Sequence, residues 1–173
     1  GQTTAPGYVV SGVPALTISG KPATAVYTTD PAPARNGFGS PADSVLYALG
    51  PMNLSPDVVV SGINEGQNMG SLVDYSGTVG AARRARLKGV PGIATSQGFG
   101  APIDYPAGGG ATLALLEEWR LGHTVNTVNS VLNINIPTCA SGYSVRGTVQ
   151  TVVATNSANY NLQDCTSTAT ANS

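Results

Sequence analysis

Charge is what this sequence has least of. Eight Lys+Arg stand against nine Asp+Glu, so 10% of the 173 residues are charged and the net charge is −1, where a soluble domain ordinarily carries about 25%. Without a basic excess nothing displaces counterions from a phosphate backbone, which excludes an electrostatic binder of nucleic-acid polymers. A charged disordered tail is excluded by the same count, because such disorder goes with low hydrophobicity and high net charge. No run approaches the ~20 consecutive apolar residues of a spanning helix, so no membrane partner is expected. The opening stretch, residues 1–10, has neither the basic nor the apolar region of a signal peptide; an exported chain would have lost its leader already. Cysteine occurs twice, and Cys139 and Cys165 match no zinc or redox spacing. They are either two free buried thiols or a disulfide pinning the C-terminal tail, and the uncharged surface favours the disulfide.

What is abundant is glycine (22) and proline (12), with Ser, Thr and Asn used freely. A polar but uncharged surface is the look of a secreted, extracellular or periplasmic protein. At this length one α/β domain, residues 1–173, is expected, large enough to form a core without metal or disulfide staples. Its composition falls into three zones. Residues 1–39 and 139–173 read as extended arms, the first with short strands at Ala15–Ile18 and Ala25–Tyr27, the second with a weak strand around Val145–Val153 followed by loop. Residues 40–138 carry the regular pattern.

In that core, Ser40-Pro41-Ala42-Asp43 has the form of a helix start, with Ser as cap, Pro in the first turn and Asp where the dipole favours an anion. The helix should stop at Gly50-Pro51. Asp57–Gly62 is an apolar run of strand length, the pattern of a strand buried on both faces. A glycine-punctuated loop from Ile63 to Tyr75 follows, then a helix opened by Ser76-Gly77-Thr78 and closed by Gly89. Val90–Thr95 is the next strand, Ala111–Arg120 a helix with Leu113, Leu116 and Trp119 on one side, and Val131–Pro137 a third strand. Strands and helices in alternation predict an α/β fold, a Rossmann-like three-layer sandwich around a mostly parallel sheet with right-handed crossovers.

Ligands of such sheets bind at the carboxyl ends of the strands. The run Ser61-Gly62-Ile63-Asn64-Glu65-Gly66-Gln67-Asn68-Met69-Gly70 supplies donors, acceptors and glycines that let a ligand approach the backbone. The helix start at Ser76 offers free N–H groups and a positive dipole end, which suit phosphate. The competing reading is that Ser76 only caps its helix and the loop is a Gly-rich turn.

The run from Pro56 to Ser96 closely resembles the SurE family of stationary-phase survival phosphatases. The matching pieces are Ser61-Gly62-Ile63-Asn64, Asn68-Met69-Gly70 and Tyr75-Ser76-Gly77-Thr78-Val79. Support comes from Pro41-Ala42-Asp43-Ser44-Val45 before them and Leu132-Asn133-Ile134-Asn135-Ile136-Pro137 after them. The resemblance implies a metal-dependent phosphatase, a 5'-nucleotidase acting on nucleoside monophosphates or small phosphoesters, built as a homo-oligomer. It implies a divalent metal, Mg or Mn, with Asn64 among its ligands, and phosphate against Asn68, Ser76, Gly77 and Thr78. The family's adjacent aspartate pair has no match; the acidic residues ahead of the main block are Asp30 and Asp43. The expectation is therefore that this chain alone turns over slowly or not at all. The alternative from another class is a non-catalytic extracellular structural or assembly protein derived from the same fold.

Four further features have bland readings. His123, the only histidine, reads as a residue closing a helix end rather than a general acid. Arg83, Arg84, Arg86 and Lys88 read as a solvated helix face, with a subunit or substrate contact as the alternative. Glu117-Glu118 is a pair in name only, because neighbours on a helix point apart. Asn53-Leu54-Ser55 fits the glycosylation acceptor pattern.

Overall fold

The computed structural model describes residues 17–18, 21–22, 40–122, 131–154 and 165. His123 and the expected strand at Ala25–Tyr27 lie outside the described residues. Within the N-terminal arm, β1 (Thr17–Ile18) and β2 (Lys21–Pro22) pair antiparallel. Helix α1 (Pro41–Leu49) starts as the sequence predicts. Ser40 Oγ accepts the Asp43 N–H at 3.2 Å while the Asp43 carboxylate accepts the Ser40 N–H at 3.0 Å. This reciprocal pair satisfies two amides that a helix start otherwise leaves unmatched. Gly50 ends the helix, its N–H bonded to the Leu46 carbonyl at 2.9 Å.

The central sheet consists of β3 (Val59–Glu65), β4 (Gly92–Gln97) and β5 (Val131–Ile136), all parallel, in the order β3-β4-β5. Between the first two run α2 (Leu72–Tyr75) and α3 (Gly77–Leu87); α4 (Tyr105–Arg120) links the last two. Strand side chains alternate between faces, which assigns each helix to a side. Ala94 packs with Val79 and Ala82 of α3, and Val131 joins them. The other face of β4 meets α4: Thr95 Oγ1 lies 2.8 Å from Thr112 Oγ1. Helix α1 shares the α3 side, where Val45 packs with Ala81 and Ala85. The layers are therefore α1 and α3, sheet, α4, which is the expected three-layer α/β sandwich.

Close approach of α3 depends on small residues. A Cβ on Gly92 would lie 2.3 Å from the Ala82 carbonyl oxygen, so the strand and the helix backbone touch there with no room for a side chain.

Several expectations need correction. The apolar run 57–62 is not a strand buried on both faces. Strand β3 has a neighbour on one side only among the described residues, and Val60 is 43% exposed. The fully buried strand is the more polar β4, whose Thr95, Ser96 and Gln97 are completely inaccessible. Position in the sheet, not hydrophobicity, sets burial here. Right-handed crossovers throughout are also overturned. With β3, β4 and β5 stepping in one direction and α3 and α4 on opposite faces, the two connections must have opposite hands.

Helix α4 begins at Tyr105 rather than Ala111. Asp104 accepts the Ala107 N–H at 3.2 Å, and Pro106 occupies the first turn. The glycines that argue against helix are kept there by packing: a Cβ on Gly108 would sit 2.9 Å from Gln97 Oε1 and 3.3 Å from the Ile63 side chain. Gly108 and Thr112, not Leu113, are the buried positions of α4; Leu113 is 36% exposed. The weak strand expected near Val145–Val153 is also absent: residues 143–154 are irregular and exposed, with no neighbouring strand among the described residues to pair with. The tail is tied instead by a Cys139–Cys165 disulfide with Cα atoms 5.6 Å apart, as the sequence favours.

Candidate functional site

The carboxyl ends of the three strands lie at Glu65, Gln97 and Ile136. Asn64, expected in a loop, belongs to β3. Its aim depends on a bulge. Ser61 pairs with Ala94 and Asn64 with Ser96, so two residues of β3, Gly62 and Ile63, stand opposite Thr95 alone. An extra residue moves every later side chain to the other face. Without it Asn64 would face α4; with it, Asn64 shares a face with Ser96 and α3. Its Nδ2 donates to the carbonyls of Glu65 (3.0 Å) and Gly66 (2.7 Å). The donor end of the amide is thus committed to the backbone, and Oδ1 is the end left to meet a ligand.

On the same face, α3 opens at Gly77 with Ser76 as cap, its Oγ accepting the Val79 N–H at 3.1 Å. The Ser76 carbonyl accepts from Gly80 at 2.8 Å. The N–H groups of Gly77 and Thr78, first and second in the helix, have no intrahelical acceptor and point along the axis with the positive dipole end. Gly77 is exposed whereas Thr78 is 8% exposed.

Asn68 occupies a different place in this arrangement. It is 8% exposed, and its Nδ2 donates to Ser96 Oγ at 2.7 Å. Its N–H donates to Asn135 Oδ1 at 2.7 Å, and its carbonyl accepts from Asn133 (2.7 Å) and Asn135 (3.2 Å). The loop after β3 is therefore bolted across the ends of β4 and β5 through one residue. Ser96, Asn133 and Asn135 were not singled out from the sequence. The signal that could have found them is Asn-x-Asn in an otherwise apolar strand, which puts both amides on one face. Asn135→Leu should strand the Asn68 N–H and lower stability by about 2 kcal/mol, the usual cost of an unsatisfied buried donor. A urea midpoint unchanged from wild type would refute the bolt.

The remaining candidates fall elsewhere. Arg83 forms an exposed ion pair with Asp74 at 3.0 Å. Arg83, Arg86, Leu87 and Val131 line an open cleft of about 400 Å³, beside the first residue of β5 and hence at the amino end of the sheet. Glu117 binds Arg120, with Nε 2.8 Å from Oε2. That hydrogen bond holds the Glu117 carboxyl below its ordinary range, at the end of α4 far from the strand ends. Asn53 is exposed with φ +50, and Ser55 is exposed too.

Metal fit can be judged from the donors. Among the described residues no three His, Cys, Asp or Glu side chains are grouped as metal ligands. Asn64 offers one neutral oxygen, whereas Mg and related hard cations rely on several oxygens with carboxylate charge. The described residues do not by themselves fit a divalent metal, and no chemical step is derived through one.

The profile of the family described as "Survival protein SurE" matches residues 3–160. The chain is 42% identical over 114 residues to the 5'-nucleotidase SurE of Sorangium cellulosum (strain So ce56), covering 64% of this chain and 44% of that protein. It is 42% identical over 109 residues to the 5'-nucleotidase SurE of Variovorax paradoxus (strain S110), covering 60% and 43%. Among solved structures, the crystal structure of the SurE protein from Aquifex aeolicus is similar with a TM-score of 0.51 and 35% identity. That similarity covers 58% of this chain and 40% of that one. The chain spans less than half the length of these relatives.

Proposed function

The chain belongs to the SurE family, and from that premise we propose that it forms the phosphate-binding part of a metal-dependent nucleoside monophosphate phosphatase. One observation supports this most: the β3 bulge turns Asn64 to the sheet face on which the α3 N-terminus opens. A phosphoryl group there would accept from the Gly77 and Thr78 N–H groups and from the Ser76 hydroxyl. These donors are fixed before the substrate arrives, so they can stabilise charge that develops on the phosphoryl oxygens without reorganising. Asn64 Oδ1 is the one neutral oxygen these residues would contribute to a metal site, which would need carboxylates beyond them. Asn68 acts by holding the loop, and would touch phosphate only through the second N–H of its Nδ2, the first being donated to Ser96.

Binding is tested with Ser76→Asp. Aspartate caps helices as well as serine does, so the melting temperature should hold, while its carboxylate repels a phosphate. AMP affinity, measured by titration calorimetry, should fall at least about tenfold at low salt, an electrostatic effect of about 1.4 kcal/mol. Unchanged affinity would remove the α3 N-terminus from the site. Phosphate release from AMP, compared with Mn, Mg and EDTA, tests the metal requirement. This chain alone should turn over slowly or not at all, because docking without metal stabilises ground and transition states alike. Rapid, EDTA-insensitive turnover would sink that requirement.

A second reading, assembly without catalysis, is favoured by the flank of β3 that has no neighbour among the described residues, a template for pairing with another chain. Concentration-dependent association in sedimentation, abolished by a charged residue in place of Val60, would support it. Export fits the Cys139–Cys165 disulfide, since such bonds persist in oxidising compartments.

A further inference from the structure

We propose that Phe99 is the surface on which the base of a nucleoside monophosphate stacks, an inference that rests on the phosphate site proposed above. A large apolar ring is ordinarily buried, yet Phe99 is 58% exposed at the carboxyl end of the sheet. The ring is nevertheless anchored. Its tip rests on Gly66: a Cβ there would be 2.6 Å from Phe99 Cζ, and Gly66 has φ +93. The chain around it is tied on both sides. The Gly66 N–H donates to the Gln97 carbonyl at 2.8 Å, and the Gly98 N–H to the Ile136 carbonyl at 2.6 Å. Gln97 Nε2 donates to the Pro137 carbonyl (3.0 Å) and to Thr138 Oγ1 (3.1 Å), and Thr138 Oγ1 in turn donates to the Gly98 carbonyl. An aromatic side chain held this way loses little further entropy when a flat ligand lies on it.

The position suits a nucleotide. Gly66 is two residues beyond Asn64 and its carbonyl accepts from Asn64 Nδ2 at 2.7 Å, so the ring rests beside the residue that faces the proposed phosphate site. Stacking needs a π-face and tolerates any base, so the surface would distinguish nucleotides from small phosphoesters without choosing among the four bases.

The experiment is titration calorimetry of the 173-residue chain with AMP and with ribose 5-phosphate, which share everything but the base. Wild type should bind AMP about tenfold or more tightly, the range of one base stacked on an aromatic ring. Phe99→Leu keeps an apolar contact on Gly66 but has no π-face, and should bring the two affinities together by weakening AMP alone. Phe99→Tyr should keep the preference. A wild type with no preference, or a preference that survives in Phe99→Leu, overturns the proposal while leaving the phosphate site standing. If wild type binds neither ligand, the phosphate site fails and this inference with it. If Phe99→Leu does not fold, Phe99→Tyr decides: a folded tyrosine variant that loses the preference overturns the stacking role.

Discussion

Gly62→Ala should lower stability by about 2–5 kcal/mol, the largest single-residue effect expected in this chain. Two independent causes act at that position. The backbone holds φ +111, a region in which an L side chain costs about 1–2 kcal/mol. In addition, the new Cβ would lie 2.3 Å from the Thr95 carbonyl oxygen and 3.0 Å from the Asn64 nitrogen. Both contacts are backbone of the central sheet, which cannot swing aside as a long side chain can, and overpacking of this kind costs about 1–3 kcal/mol. The matched control is Gly89→Ala, where φ is +80 but nothing stands within 4 Å of the added carbon; it should cost about 1 kcal/mol. Urea unfolding of both variants separates steric from conformational cost. Equal losses would mean that the sheet yields at Thr95 and that the bulge is not tightly packed. The bulge also aims Asn64, so any folded Gly62→Ala protein should bind AMP more weakly than the Gly89→Ala protein.

Removing the Cys139–Cys165 bond should lower stability by about 3.5 kcal/mol. The two cysteines are 26 residues apart, and on the loop-closure estimate a bridge of that span restricts the unfolded chain by about this amount. Cys139 stands three residues past the end of β5, directly after the Thr138 that holds Gln97 and Gly98. Loss of the bridge therefore acts near the strand ends as well as on the tail. The measurement is urea unfolding of the native chain with and without reductant, beside a Cys139→Ala/Cys165→Ala double variant. The variant should match the reduced protein and ignore the reductant. A midpoint shared by all of these states would show that the tail contributes nothing to the folded domain. Thiol labelling of the denatured, unreduced chain should find no free sulfhydryl.

The candidate site divides along the same lines as the fold. Ser76 was legible as a cap because a serine followed by a helix-forming run satisfies its amides within three residues. Asn64 was legible as a chemical group but not as a strand residue, and its direction was not legible. That direction follows from Gly62 and Ile63 jointly facing Thr95, a pairing between residues more than 30 positions apart. Asn68 could be read as a ligand from its motif. Only its four bonds to Ser96, Asn133 and Asn135 reveal that it fastens the loop.

By itself the sequence determined the order of helices and strands in the core, the Ser40 cap and the helix starting at Ser76, and it favoured the bridging of its two cysteines. Each of these depends on partners close along the chain, or on there being only one possible partner. The tertiary structure alone decided that polar β4 is buried while apolar β3 has a neighbour on one side only among the described residues. It also placed α3 and α4 on opposite faces, started α4 six residues early across three glycines, and turned Asn64 to the sheet face on which α3 packs. These outcomes rest on sheet register and layer packing, in which a residue's environment is set by strands distant in sequence and not by its own hydrophobicity or its neighbours'.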